Sequence, residues 1–325
     1  MKKTILSMGL IAISLMLFSF KSGNIQSNPK NKNDLTRHNI KGKVKSIKET
    51  TFGVTDTSSS TQQGDKKTKS FYLYNEKGFV TEMKEYLPND SLDKKYTYSY
   101  NENGSMVENV RLSSNLSLEY KETWKFDANE NMIEHSVYSN SDKKNLTLQS
   151  KTVCKYDEKN HLIQELFYGS NEKLEKSATY RYDDMGNMLE KNNYNADNVI
   201  SNTAENSFYF KTDTIRDDKG NIVNLNQYKY NPDGSFIITQ LLKYDKDNLV
   251  EFTKFGADLS TEYMYTYKYN DKGDEIEKSK FNMYNVLDEK TTSKYVYDKT
   301  GNWIKATISK NEVPESTKER EIVYY

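Results

Sequence analysis

An aromatic residue, then Asn or Asp, two free positions and usually Gly recurs nine times after residue 70. The copies begin at Tyr74, Tyr100, Phe126, Tyr156, Tyr182, Arg216, Tyr244, Tyr269 and Tyr297, with Arg216 in place of the aromatic. Successive spacings are 26, 26, 30, 26, 34, 28, 25 and 28 residues. A near-constant period in this range means an array of small supersecondary units, each packing on its neighbours.

The residues leading into each copy alternate with period two, the signature of a half-buried strand. Tyr96, Tyr98 and Tyr100 alternate with Thr97 and Ser99, and Tyr263, Tyr265, Tyr267 and Tyr269 alternate with Met264, Thr266 and Lys268. Trp124 and Phe126 alternate with Thr123 and Lys125. One face is therefore aromatic and the other rich in Thr, Lys and Arg. In the turns, Asn or Asp bonds the backbone two residues on, and Gly supplies the left-handed closing position. Asn160 and Asn248 are expected to replace Gly there, and Glu130 to be mildly strained. A second set of turns falls halfway between the first, as in "YLPND" from Tyr86 and "YNPDG" from Tyr230. The expected fold is all-β: an elongated antiparallel meander of about twenty strands in tandem hairpins, curled or spiralled to hide its aromatic face. Residues 55–67 read as a long polar loop. The strands around Val44 and Val323 read as open edges guarded by Lys43, Lys45, Glu319 and Arg320.

Composition fits a thin core spread along a repeat. Hydrophobic residues are 35% of the 325, and 26 residues are Tyr. The 47 basic and 47 acidic residues cancel, which removes the electrostatic case for nucleic acid. Lys2 and Lys3 followed by the apolar run Ile5–Phe20 read as a secretory signal over residues 1–22, with membrane contact only if that signal stays uncleaved. Residues 23–39 read as a flexible tether and 40–325 as one repeat domain. The expected location is the periplasm, cell surface or medium. Cys154 is the only cysteine, so no intrachain disulfide forms; it reads as a small buried residue in the aromatic row.

The copies "YNEKG", "YNENG", "YDDMGNML", "YNDKG" and "YDKTGNW" resemble the tyrosine-aspartate repeats of the RHS/YD-repeat superfamily. The closing segment from Tyr297 looks like the ending of exported YD-repeat-like proteins of Bacteroidota. The resemblance covers about residues 40–325. It implies a spiralling β-sheet, such as large members use to enclose a toxin, and a carbohydrate-binding or adhesive role described for others. This chain is far shorter than a shell-forming member and carries neither the Pro/Asp-Pro-Gly-Leu core ending nor a variable C-terminal domain. The toxin role therefore does not carry over, and the family supplies no catalytic residues.

The residues themselves offer little chemistry. His38, His135 and His161 have no metal-ligand spacing and adjoin no nucleophile, and every Gly is taken up by a turn. The expectation is a non-enzyme without cofactor. Val80, Met106, Met132, Leu162, Met188, Ile222 and Trp303 stand two positions past the turn-closing residue. Two further on stand Glu82, Glu108, Glu134, Gln164, Glu190 and Asn224, on the same strand face by parity. Glu82, Glu108, Glu134 and Glu190 form a candidate acidic stripe for Ca2+ or sugar hydroxyls; they equally suit hydrogen bonds from Tyr or pairing with Lys on adjacent strands. Trp124 and Trp303 are candidate sugar platforms in what otherwise reads as core. The expected partner is a glycan or an envelope protein, with a partner role in a secretion or toxin system as the alternative. Asp90-Ser91-Leu92 and Asp213-Thr214-Ile215 match a short O-glycosylation motif.

Overall fold

The computed structural model describes residues 33–57, 60–140, 145–182, 186, 188–197, 199, 210–230, 236–246 and 248–325. The expected signal and most of the tether lie outside them. A helix, α1 (Asp34–Arg37), precedes the strands β1 (Val44–Thr57), β2 (Ser60–Tyr74), β3 (Val80–Tyr86), β4 (Leu92–Tyr100), β5 (Met106–Leu112), β6 (Leu118–Phe126) and β7 (Met132–Ser139). Then come β8 (Thr147–Tyr156), β9 (Leu162–Gly169), β10 (Leu174–Tyr182), β11 (Met188–Asn195), β12 (Phe210–Arg216), β13 (Ile222–Tyr230) and β14 (Phe236–Asp245). The last six are β15 (Asn248–Phe255), β16 (Thr261–Tyr269), β17 (Glu275–Asn282), β18 (Leu287–Tyr297), β19 (Trp303–Lys310) and β20 (Val313–Tyr324).

Consecutive strands pair antiparallel from β1 to β11 and from β12 to β20. The result is one twenty-stranded sheet, not closed into a barrel. Two expectations are corrected here. The strands around Val44 and Val323 are not edges: β1 pairs with β20, and Val44 is fully buried. Residues 55–57 and 60–67 are strand rather than loop, because β1 and β2 continue into them and pair as far as Thr57 with Ser60. Two-stranded continuation costs less than a polar loop here, since Thr-rich segments satisfy their backbone groups in the ladder.

Asn75, Asn101, Asp127, Asp157, Asp217, Asn270 and Asp298 organise their turns as expected. The Asn75 side chain accepts from the N–H groups of Lys77 and Phe79, both at 3.0 Å, and Asp298 does the same for Thr300 and Asn302 at 2.9 Å. Gly78 and Gly104 close their turns at φ of 82° and 87°, while Asn160 and Glu130 hold 65° there. Asn248 does not take that role. It already pairs with Asp245 in the ladder, and Lys246 carries the positive φ of a tighter turn.

A β-bulge follows every one of these turns and changes the facing of the next strand. Tyr74 opposes Val80 whereas Leu73 opposes Glu82, and the same shift recurs at Tyr100, Phe126, Tyr156, Tyr182, Arg216, Tyr244, Tyr269 and Tyr297. Two residues on the later strand stand against one, an aromatic in every copy but that of Arg216. The apolar residue therefore joins the aromatic face and the Glu goes to the other, correcting the parity reading that placed both together.

The sheet rolls toward its aromatic face. In strand order, six spacings separate the β2–β3 turn from the β16–β17 turn, an arc of ~29 Å. Leu35 N donates to Gly78 O at 3.1 Å at the first turn, and Asn39 Nδ2 donates to Lys272 O at 2.8 Å at the second. Four residue steps reach at most ~15 Å, so the segment is a chord across a curve. Leu35 and Ile40 on this chord pack against Val44, Ile47 and Tyr74, with Tyr72 beside them. The aromatic face is thus concave, and residues 33–41 strap its end. The strap also binds the β18–β19 turn, where Asn302 exchanges hydrogen bonds with the backbone of Lys41. A second buried cluster, Met132, Cys154, Leu162, Ala178 and Tyr180, lines the concave face farther along.

Candidate functional site

The structure sorts the candidate residues onto opposite faces. Glu82, Glu108 and Glu134 stand on the convex face, one per hairpin, and each is held by lysine. Glu82 meets Lys84 at 2.6 Å and Lys95 at 2.7 Å; Glu108 meets Lys121 at 2.5 Å; Glu134 meets Lys125 at 2.9 Å and Lys151 at 3.8 Å. The backbone of Glu190 occupies the corresponding place opposite Arg181; its side chain is outside the described set. The column extends to two glutamates missed in the sequence, Glu251 on Lys243 at 2.8 Å and Glu277 on Lys268 and Lys290, both at 2.9 Å. Burial alone raises Glu82, but the two ammonium groups outweigh it and hold its carboxyl below the ordinary value. Successive hairpins lie ~10 Å apart, so the glutamates do not converge. Among the described residues no three His, Cys, Asp or Glu groups come together as a metal site.

Trp124 and Trp303 lie on the concave face but in different arms, seven strands apart. The Arg320 guanidinium sits 3.4 Å from the Trp303 ring centroid and is itself bound to Glu49 at 2.9 Å, so that ring is covered. Trp124 stacks on His135, with centroids 5.0 Å apart and planes 8° from parallel.

Around Trp124 a polar band crosses β4 to β7. Asn109, Glu122 and Trp124 share the aromatic face with Tyr98 and Tyr120. Glu122 Oε1 lies 3.4 Å from His135 Nε2, and Asn109 Nδ2 donates to Glu122 at 3.2 Å. Desolvation raises Glu122, yet hydrogen bonds from His135, Tyr120 and Asn109 bring it below its ordinary value. Asn109 Oδ1 is buried and unpartnered. Toward the end away from the strap, Arg111 covers the Tyr120 ring and shares Glu119 with Lys94. These three charged groups, with Ser113, Ser117 and Asn140, line a cavity of about 750 Å3. The sequence signal for this band is the parity of Glu122 with Trp124; Asn109 enters only through its register opposite Tyr98.

The other candidates are structural. Cys154 is buried, and burial with the nearby Glu165 pushes its thiol up to about 12. His38 caps α1 by contact with Asp34 O at 2.8 Å, and His161 contacts Asp157 at 3.0 Å while stacking on Tyr182. Ser91 is exposed in its turn beside Asn89, and Thr214 is exposed on β12.

Fold and surface together define a tandem β-hairpin repeat protein built on one curled sheet. No family model matches the sequence, and no curated protein matches it. Among solved structures the chain is similar to TcdB2-TccC3-TEV at 12% identity, over 79% of this chain and 16% of that one, with a TM-score of 0.34. It is similar to a porin-like protein from Bacteroides uniformis ATCC 8492 at 11% identity, over 86% of this chain and 96% of that one, with a TM-score of 0.32. The TcdB2-TccC3 structure matches at 11% identity over 78% and 16%, with a TM-score of 0.29. This chain thus spans a small fraction of the TcdB2-TccC3 chains it matches.

Proposed function

We propose that the chain is a non-enzymatic, exported repeat protein of the YD-repeat kind whose concave face binds carbohydrate in the cell envelope. The observation that carries this reading is the Trp124–His135 stack on the concave face, bordered by the half-buried Glu122 and Asn109. A sugar ring offers C–H groups to an aromatic face and hydroxyls to amide and carboxylate groups, and this band presents both within one curved surface. Export rests on the basic, then apolar, N-terminus. The convex glutamates are poorer candidates, because each described one is already neutralised by lysine.

A glycan array probed with the tagged protein, with and without Ca2+, tests this. The expected result is a Ca2+-independent hit lost on Trp124→Ala and retained on Glu108→Ala. Loss on Glu108→Ala instead moves the site to the convex face. A blank array turns the reading toward a scaffold for a protein partner in a secretion or toxin system, to be sought by pull-down from envelope extract.

A further inference from the structure

One hairpin departs from the repeat in its charges. At the turns that alternate with the Asn/Asp turns, a bulge leaves one residue of the later strand unopposed. That residue is acidic in Asp93, Glu119, Glu175, Glu262, Asp288 and Glu315, so an acid there belongs to the repeat. Among the described residues, only Glu119 of these six forms ion pairs, and it forms two. Lys94 Nζ donates to its two carboxylate oxygens at 3.0 and 2.9 Å, and Arg111 Nε lies 3.3 Å away. Lys94 shares the concave face with Tyr96 by parity, and Arg111 stands opposite both Tyr96 and Tyr120. The second cation is therefore an addition to the repeat, and it falls on the face that carries Trp124.

These three groups are the charged lining of the cavity, which leaves it one positive charge in excess. The Arg111 guanidinium sits 5.2 Å from the Tyr120 ring centroid, yet its side chain is 41% exposed. With Nε turned to Glu119, its remaining N–H groups form a fork that binds an oxyanion bidentately. Much of the remaining wall is hydroxyl and amide, from Ser113, Ser117, Ser139 and Asn115. Such groups match sugar hydroxyls. A volume of about 750 Å3 is that of a small-molecule site rather than an ion site.

We propose that this cavity holds the acidic ring of an anionic oligosaccharide, its single charge a carboxylate or a sulfate ester, with Arg111 as the fork and Lys94 beside it. The proposal rests on the carbohydrate reading and gives that ligand a charge and a direction. Tyr120 and Trp124 are four residues apart on β6, ~13 Å, a span longer than one sugar ring. Glu122 beside Trp124 repels an acidic group there. The acidic ring therefore lies at Arg111 and a neutral ring at Trp124.

The test is an array of uronate oligosaccharides, their carboxyl-reduced counterparts, and neutral oligosaccharides with and without one sulfate ester, probed with the full chain. The expected result is that an acidic glycan binds roughly tenfold or more tighter than its neutral counterpart, the effect of one charged hydrogen-bonded contact. Preference among uronates assigns the carboxylate, and preference among sulfated glycans the ester. Arg111→Gln should bring the preference close to parity, whereas Trp124→Ala should weaken acidic and neutral glycans alike. Arg111→Lys keeps the charge without the fork and should keep part of the preference; it serves if Arg111→Gln melts early. Equal binding of acidic and neutral glycans would overturn the proposal while leaving the carbohydrate reading in place. A preference undiminished in both Arg111 variants would overturn it as well. Binding of no glycan at all would remove the carbohydrate reading and this proposal with it.

Discussion

The hydroxyl of Tyr100 donates to the backbone carbonyl of Val80 at 2.9 Å. Val80 is the bulge residue of its strand, and the aromatic twenty residues later captures a carbonyl that the bulge turned out of the ladder. Tyr182 does so to Leu162 and Tyr269 to Leu249 at 2.9 Å, and Tyr295 to Glu275 at 2.7 Å. The repeat is thus held by a bond between neighbouring hairpins as well as by pairing within each. Tyr269→Phe should cost about 0.5–1.5 kcal/mol, read as a lower urea midpoint with unchanged slope. Phe126 lacks the hydroxyl, so Phe126→Tyr should gain a similar bond. A Tyr269→Phe midpoint equal to wild type would show that the bond contributes nothing.

The strap makes its own prediction. Asp34 Oδ2 accepts from Val80 N at 2.8 Å and from Tyr100 OH at 3.2 Å. Asp34→Ala leaves both donors without that carboxylate and should destabilise by about 2–3 kcal/mol. Hydrogen exchange should speed first at the Val80 amide. Exchange unchanged there, with stability lost elsewhere, would argue against the strap as the cause.

Two glycines separate backbone strain from collision. A Cβ on Gly220 meets nothing within 4 Å, so Gly220→Ala should cost only the left-handed backbone, about 1–2 kcal/mol. A Cβ on Gly104 would lie 2.5 Å from Phe79, whose ring packs on Tyr100 with centroids 4.8 Å apart. Gly104→Ala should therefore cost clearly more. Equal melting temperatures for the two variants would contradict this.

Much of this was legible because it is local. Strand alternation, Asn/Asp turns and the number of strands follow from residues a few positions apart. The bulge was not legible, because parity carries no sign of an extra residue until the partner strand is known. Glu251 and Glu277 escaped notice for a related reason: the Tyr244 turn is one residue shorter, and Glu275 replaces the apolar marker. The polar band was half legible, since Glu122 shares parity with Trp124, but Asn109 joins them only through cross-strand register. The strap has no period at all, and its partners lie up to 261 residues away.

Acid should probe the convex ion pairs. Lys290 and Lys268 hold the Glu277 carboxyl below its ordinary value. A depressed carboxylate contributes stability above its unfolded pKa of about 4.3 and loses it as pH falls through the folded value. Wild type should therefore exceed Glu277→Gln in melting temperature above about pH 5. The gap should close below pH 4.3. A gap independent of pH would mean the difference is not electrostatic.

The pairing of β1 with β20 has a consequence for how the molecule is made. Each hairpin forms from neighbours in the chain and can assemble as synthesis proceeds, but Glu49 meets Arg320 across 271 residues. That one seam has the greatest loop-closure entropy to overcome and closes last, giving a molecule of mostly low contact order a single slow, high-order step. Until the final strand is released, β1 waits as an exposed template, and a chain stopped before Val313 stays in that state.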